Sequence, residues 1–307
     1  MNIEKIKKDY KKIYLAISAI TIYLLIALVK KIYFGLYSLS FSTLTPNEKL
    51  IATITYQIFA ISMSLLFLIK NKDKKLEEIK KYTKLASIGV ITIIIYAMTS
   101  VLEYTLLYIT KLNPAKMSIT AKTIYLIICE SVIIILIALV NKEKLKANLK
   151  DIKKHFTEYY TQYLKLYAVS LIIMIISNIL ITQLTHGIPG NEETIRQTIT
   201  KAPIYMFFSA VIFAPFTEEM VFRNSIKNII PSKTAFILTS GLIFGGLHVV
   251  GNINTIYDLL YIIPYATPGI AFAIMLEKTD NILVSMGIHF LHNGILMTLQ
   301  IILLFLH

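Results

Sequence analysis

Apolar runs long enough to cross a bilayer recur from one end of this 307-residue chain to the other, and a spanning helix needs about 20 such residues. Candidate spans are Ile13 to Val29, Leu50 to Ile69, Leu85 to Ile109, Thr123 to Val140 and Tyr163 to Gln183. They continue with Ala202 to Phe222, Thr234 to Val250, Leu259 to Leu276 and Ile282 to Leu306. The pattern predicts an all-α polytopic transmembrane helix bundle of about 8–9 spans with no soluble domain. Composition agrees: 56% of residues are hydrophobic and only 16% are charged, where a soluble domain carries about a quarter charged residues.

The chain has 31 basic against 18 acidic residues, a formal charge of +13. The lysines sit between the apolar runs, which reads as the orienting bias of membrane proteins rather than as nucleic-acid binding. Residues 1–12, 70–84 and 141–162 are dense in lysine, whereas 30–49, 110–122 and 184–201 hold few. Positive-inside logic places the N-terminus in the cytoplasm of a multi-pass cell-membrane protein, and an odd span count leaves the C-terminus outside. The segment Lys142 to Tyr160 reads either as an interfacial amphipathic helix drawn to anionic lipid or as a solvated cytoplasmic turn. A lysine-rich start before an apolar run resembles a signal peptide in outline, but no small-residue cleavage pattern follows, so the first run reads as a retained span. Cys129 is the only cysteine, so no intramolecular disulfide or thiolate zinc cluster can form.

Ionisable residues inside spans are costly and mark functional candidates. Glu103 and Glu130 each stand alone in the first half. The C-terminal third is richer. In A-P-F-T-E-E-M-V-F-R, Glu219 and Arg223 are four apart and share a helix face, which favours a charge pair and leaves Glu218 as the acid without a local partner. Then F-G-G-L-H places His248 one turn beyond Phe244, with Gly245 and Gly246 expected to allow close helix approach. The last span carries H-F-L-H-N, in which His289 and Asn293 share a face and His292 lies nearby as a second-layer or packing residue.

Depth arithmetic tests whether these groups meet. Glu218 lies 12 residues, about 18 Å, from the turn at Pro231 to Lys233, and His248 lies 14 residues, about 21 Å, up the returning helix. His289 is seven residues, about 10 Å, past Ile282, so the two turns must sit at different heights. The site then falls in the cytoplasmic half of the bilayer, and residues 249–258 become partly re-entrant. A carboxylate, two histidines and an amide in a low-dielectric cavity suit amide hydrolysis. Glu218 and His248 would hold the attacking water, and His289 and Asn293 would donate to the oxyanion.

On these residues the chain resembles the CPBP (CAAX prenyl-protease and bacteriocin-processing, or Abi) intramembrane endopeptidases. That pattern has E-E-x-x-x-R, F-x-x-x-H and H-x-x-x-N on separate helices, matched in order by Glu218-Glu219-Arg223, Phe244-His248 and His289-Asn293. The resemblance covers roughly residues 163–307 and sets them apart as a catalytic transmembrane core from accessory helices in 1–162. It implies a glutamate-dependent protease in which Glu218 and His248 activate water, while His289 and Asn293 stabilise the oxyanion. Glu219, Arg223, Phe244 and His292 would support it. It implies a membrane-associated peptide or protein substrate: a prenylated C-terminal peptide, a bacteriocin or pheromone precursor, or a membrane-anchored regulator.

No H-E-x-x-H, G-x-S-x-G or pair of intramembrane aspartates points to another intramembrane protease. The glutamate-dependent reading needs no cofactor. The rival is zinc held by Glu218, His248 and His289; Asn293 is a poor zinc ligand but a good oxyanion donor, which favours the metal-free form. Other readings are a non-catalytic immunity or scaffold protein on the same fold, or a transporter relaying protons through the same groups. Upstream, Glu192, Glu193 and Arg196 imitate the first motif with one residue too few, and Asn191 reads as an N-cap there. Pro264 and Pro268 interrupt the eighth span as a kink or a gate. The sequence is silent on oligomeric state.

Overall fold

The computed structural model describes residues 10–20, 22–23, 54, 57–58, 61–62, 64–69, 71–113, 116–185, 190–230, 232–249 and 256–306. No strand occurs among the described residues, and the chain is an all-α membrane helix bundle. Helices α1 (Leu76–Ala97) and α2 (Thr99–Thr110) are bent by 47° against each other at Met98. Helix α3 (Ile119–Val140) opens on Ser118, whose hydroxyl accepts the Ala121 N–H at 3.2 Å, filling one of the free donors of a helix start. Helix α4 (Lys142–Thr185) runs for 44 residues with a kink at His155. The lysine-rich 142–160 stretch is therefore helical and continuous with a span.

Helix α5 (Gly190–Lys201) precedes the composite helix α6 (Pro203–Ile229), followed by α7 (Lys233–Val249), a 3-10 turn (Ile256–Tyr261), α8 (Ile262–Thr279) and α9 (Ile282–Leu306). Five helices are long and apolar enough to cross a membrane, or six with the α1–α2 pair. The expected spans at 13–29 and 50–69 are described only in part, at 13–20, 22–23, 54, 57–58, 61–62 and 64–69, and the residues described there are helical. The expected span Thr234 to Val250 is a 17-residue helix, short for a crossing, and most of the re-entrant stretch expected at 249–258 falls outside the described residues. Pro268 lies inside α8, which continues through it to Thr279.

Helix α6 is the axis of the bundle. It widens into π turns at Ser209–Phe213 and Glu219–Ser225, on either side of Ala214–Glu218. The first has a local cause: Pro215 has no N–H, and its ring would crowd a tight turn at the carbonyl four residues back. In the second, the Ser225 hydroxyl donates to the Met220 carbonyl, five residues back, at 2.9 Å. Single π turns of this kind cluster at functional sites. Helices α1 and α3 cover α6 on one side, and α7, α8 and α9 on the other. Ile79 of α1, Ile133 and Ile137 of α3, Met220 of α6, Phe244 of α7 and Leu276 of α8 share one buried core, so that core draws on both sides of position 162.

The α7–α8 contact depends on missing side chains. A Cβ on Gly245 would stand 2.7 Å from the Ile262 carbonyl oxygen and 2.8 Å from the Ala266 nitrogen, and one on Gly241 would meet Ile270 at 2.3 Å. Gly246, expected to share this role, faces open space: the residue after Gly245 points about 100° away from the α8 seam. At the α8–α9 turn, the Asn281 carboxamide donates to the Asn148 carbonyl (2.9 Å) and to Asp151 Oδ2 (2.7 Å), tying the turn to α4. Asp280 accepts from Lys227 at 2.9 Å and from Lys144 at 3.1 Å.

Two outcomes test this packing. Gly245→Ala is expected to cost about 1–3 kcal/mol by overpacking, whereas Gly246→Ala should be neutral or stabilise by up to about 1 kcal/mol through helix propensity; thermal unfolding in detergent measures both. Burial pushes the Asp280 carboxyl up, but the Lys144 and Lys227 ammonium groups outweigh it and hold it below its ordinary value of 3.8. A group depressed on folding contributes stability that is complete above the ordinary value and lost as pH falls through the lowered one. Acid unfolding of Asp280→Asn should therefore show a shallower pH dependence below about pH 4 than the wild type.

Candidate active site

The second π turn decides which α6 side chains meet the interior. Glu219 and Arg223 are both fully buried, with Arg223 Nη1 3.4 Å from Glu219 Oε1, as their four-residue spacing predicts. The guanidinium lies between two aromatic rings, 4.1 Å from the Phe244 centroid and 5.4 Å from that of Phe272. A cation desolvated against aromatic faces gains about 2 kcal/mol or more from the ring quadrupole, which offsets part of its burial. Gly269 of α8 leaves room for this layer, since a Cβ there would stand 3.1 Å from the Phe244 ring and 3.3 Å from Arg223 Nη2.

Glu219 then fixes His289. The His289 Nδ1 lies 3.1 Å from Glu219 Oε1, and an ionised carboxylate only accepts, so Nδ1 carries the proton. The opposite ring nitrogen, Nε2, is 3.7 Å from Glu218 Oε2. Phe272 stacks on the same imidazole with centroids 5.0 Å apart. Glu218, expected to have no local partner, has one from α9. It also keeps part of its side chain accessible, 15% against none for Glu219, so the two adjacent acids occupy different environments.

His248 enters through its own helix. Its Nδ1 lies 2.8 Å from the Phe244 carbonyl oxygen one turn back, which again assigns the proton to Nδ1 and leaves Nε2 with a free lone pair. The ring stacks on Tyr265 of α8 with centroids 4.9 Å apart. Phe244 links the two histidines, its centroid 4.5 Å from His248 and 6.1 Å from His289. Asn293 faces α6 as its spacing with His289 predicts, but its Nδ2 donates to the Ala210 carbonyl at 2.7 Å, so one of its two N–H donors is occupied. His292 turns to α4 and bonds the Tyr167 hydroxyl.

The Glu192–Arg196 imitation of the motif is a local ion pair of 2.5 Å on α5; that helix begins at Gly190, one residue before Asn191. Among the described residues no three histidine, cysteine or acidic side chains stand close enough to hold one metal ion. Sequence reasoning missed Tyr265 and Phe272, which orient the two imidazoles. In an apolar span an aromatic residue carries no signal that separates a ring support from core.

Residues 200–295 match the family model described as type II CAAX prenyl endopeptidase Rce1-like. That stretch holds the three motifs and the contacts between them. The match supports the resemblance to the CPBP family over that stretch. It is similar to the membrane-embedded CAAX protease MroQ of Staphylococcus aureus (strain USA300), 29% identical over 236 residues, covering 70% of this chain and 89% of that protein. A second relative is YdiL of Bacillus subtilis (strain 168), named as a membrane peptidase, 28% identical over 114 residues. That match covers 36% of this chain and 43% of YdiL, so the chain spans less than half the length of this relative. No solved structure matches significantly.

The Arg223–Glu219 pair predicts non-additive mutational costs. Removing one partner, as in Arg223→Met or Glu219→Leu, should cost about 3–5 kcal/mol by stranding the other charge. The double replacement Arg223→Met with Glu219→Leu should cost less than the sum of the single replacements. Unfolding of the purified protein in micelles measures the cycle, and simple additivity would refute the coupling.

Proposed function

We propose that this multi-pass membrane protein is an intramembrane endopeptidase that hydrolyses a peptide bond of a membrane-associated protein or peptide with water activated by Glu218 and His248. The observation that carries the reading is the placement of His289 between two unlike acids, 3.1 Å from buried Glu219 and 3.7 Å from accessible Glu218. A pair of carboxylates in different environments can divide their roles, one staying ionised to orient and one exchanging a proton.

The steps follow from the ring assignments. Glu218 takes a proton from a water molecule as the water oxygen attacks the scissile carbonyl, and the free Nε2 of His248 holds that water by accepting its other hydrogen. The oxyanion that forms accepts from Nε2–H of a doubly protonated His289 and from the second N–H of Asn293, and one such donor is worth about 3 kcal/mol. Collapse of the tetrahedral intermediate breaks the C–N bond, and Glu218 passes its proton to the departing amine. Glu219 and Arg223 hold His289 and do not exchange protons.

The lysine-dense linkers support an N-terminus in the cytoplasm and a site in the cytoplasmic half of the bilayer. The names of the relatives favour a C-terminal CAAX-type peptide as substrate, with bacteriocin and pheromone precursors as the other peptides of this class.

Glu218→Gln is expected to lower kcat by about 10²-fold or more, the range of general-base catalysis, with unchanged unfolding temperature. Comparing membrane-associated small peptides by mass spectrometry in wild-type and Glu218→Gln cells should show the uncleaved precursor accumulating in the variant. Wild-type turnover by Glu218→Gln would sink the reading. A rate that survives exhaustive chelation and dialysis separates it from the zinc-dependent version.

A further inference from the structure

Glu130 of α3 lies outside the residues matched by the family model and outside the mechanism above, yet it is only 4% exposed. It sits on the buried stripe of α3 with Cys129, Ile133 and Ile137. Among the described residues no lysine or arginine pairs with it. An ionisable group in such a place is costly and must be retained by specific contacts. Both of its contacts go to α6: Glu130 Oε1 accepts from the Tyr205 hydroxyl at 3.0 Å and from the Ser209 hydroxyl at 2.8 Å.

Ser209 opens the first π turn, and the next residue, Ala210, supplies the carbonyl that holds Asn293. A second contact, from the residue that caps the C-terminus of α3, lies beyond Glu218, where Asn141 Oδ1 accepts from Asn224 Nδ2 at 3.1 Å. Helix α3 thus grips α6 on both sides of the acid.

We infer that Glu130 is a positioning residue: by holding Ser209 and Tyr205 it fixes where the Ser209–Phe213 turn, opened by Pro215, sits against α3, and through the Ala210 carbonyl it aims the free N–H of Asn293 at the oxyanion. This rests on the protease reading above. A turn released from Glu130 can move the Ala210 carbonyl, and displacements of about 1 Å in a positioning group cost up to about 10²-fold in rate. Substrate binding does not pass through this chain of contacts, so the effect falls on kcat and not on KM.

The test uses the full chain in proteoliposomes with an internally quenched farnesylated CAAX peptide, and a matched peptide on an unprenylated apolar anchor. Glu130→Met, which keeps volume and removes the acceptor, is expected to lower kcat about tenfold with KM within about twofold. Glu130→Gln, which keeps an acceptor oxygen, should restore most of the rate. Ser209→Ala should reproduce part of the loss. In an Asn293→Ala background, Glu130→Met should have no further effect, the signature of two residues acting as a unit. A further tenfold loss in that background, or a change confined to KM, would overturn the inference.

Hydrogen exchange supplies a readout independent of cleavage: amides of residues 209–213 should exchange about tenfold faster in Glu130→Met and not in Glu130→Gln. Unchanged exchange overturns the inference as well. If Glu218→Gln and Asn293→Ala slow turnover while Glu130→Met does not, only the positioning role falls. If all three are without effect, the protease reading falls with it.

Discussion

A fully buried guanidinium is the constraint around which the rest of this bundle is arranged. Arg223 has Glu219 at 3.4 Å and two aromatic rings as neighbours, and none of its nitrogens makes a hydrogen bond among the described residues. Coulomb attraction at that separation does not by itself repay the desolvation of both ions, so the pair is poor as a source of stability. What it does is hold Glu219 fixed against α9. That carboxylate then sets the proton on His289 Nδ1 and the direction of Nε2, and Nε2 meets the second acid. The order of influence runs from an inert pair to a working one, on a single stretch of helix.

The π turns explain how neighbouring residues are sent to such different places. Glu218 closes a short α-helical stretch and keeps partial access, while Glu219 begins a widened turn and is sealed. Helix α8 supplies the supporting surface: Phe272 under His289, Tyr265 under His248, and Gly269 where the Arg223 layer needs space. Each histidine therefore has one nitrogen committed to a fixed acceptor and one face committed to a ring. An imidazole held in this way needs little reorganisation when charge develops beside it, which is the condition for strong electrostatic stabilisation.

Much of this was legible in the sequence, and the reasons are physical. Hydropathy over a bilayer-length window marks helices, and four-residue spacing marks shared faces, so the Glu219–Arg223 pair and the common face of His289 and Asn293 were readable from position alone. Spacing was silent on contacts between helices. It could not show that Asn293 gives one donor to Ala210, that His292 turns to Tyr167, or that Gly246 looks away from α8 while Gly241 packs against it. The 142–160 stretch was ambiguous because lysine suits both a helix and a solvated turn; the tie through Asn148, Asp151 and Asn281 decides it as helix. Glu130 read as an isolated acid because its partners lie 75 and 79 residues away.

Helix α7 has 17 residues, a length of about 26 Å, while the hydrocarbon layer of a typical bilayer is about 30 Å thick. His248 is its penultimate residue. The last carbonyls of a helix have no intrahelical donors, and at such depth they are met by protein or by water. On the proposed function, the polar backbone near His248 would bring hydration close to where the hydrolysis consumes water. It also couples the site to lipid: a thinner membrane relieves the mismatch and a thicker one aggravates it. On the proposed function, acyl-chain length would become a control on turnover, measurable by reconstituting the protein in bilayers of graded thickness.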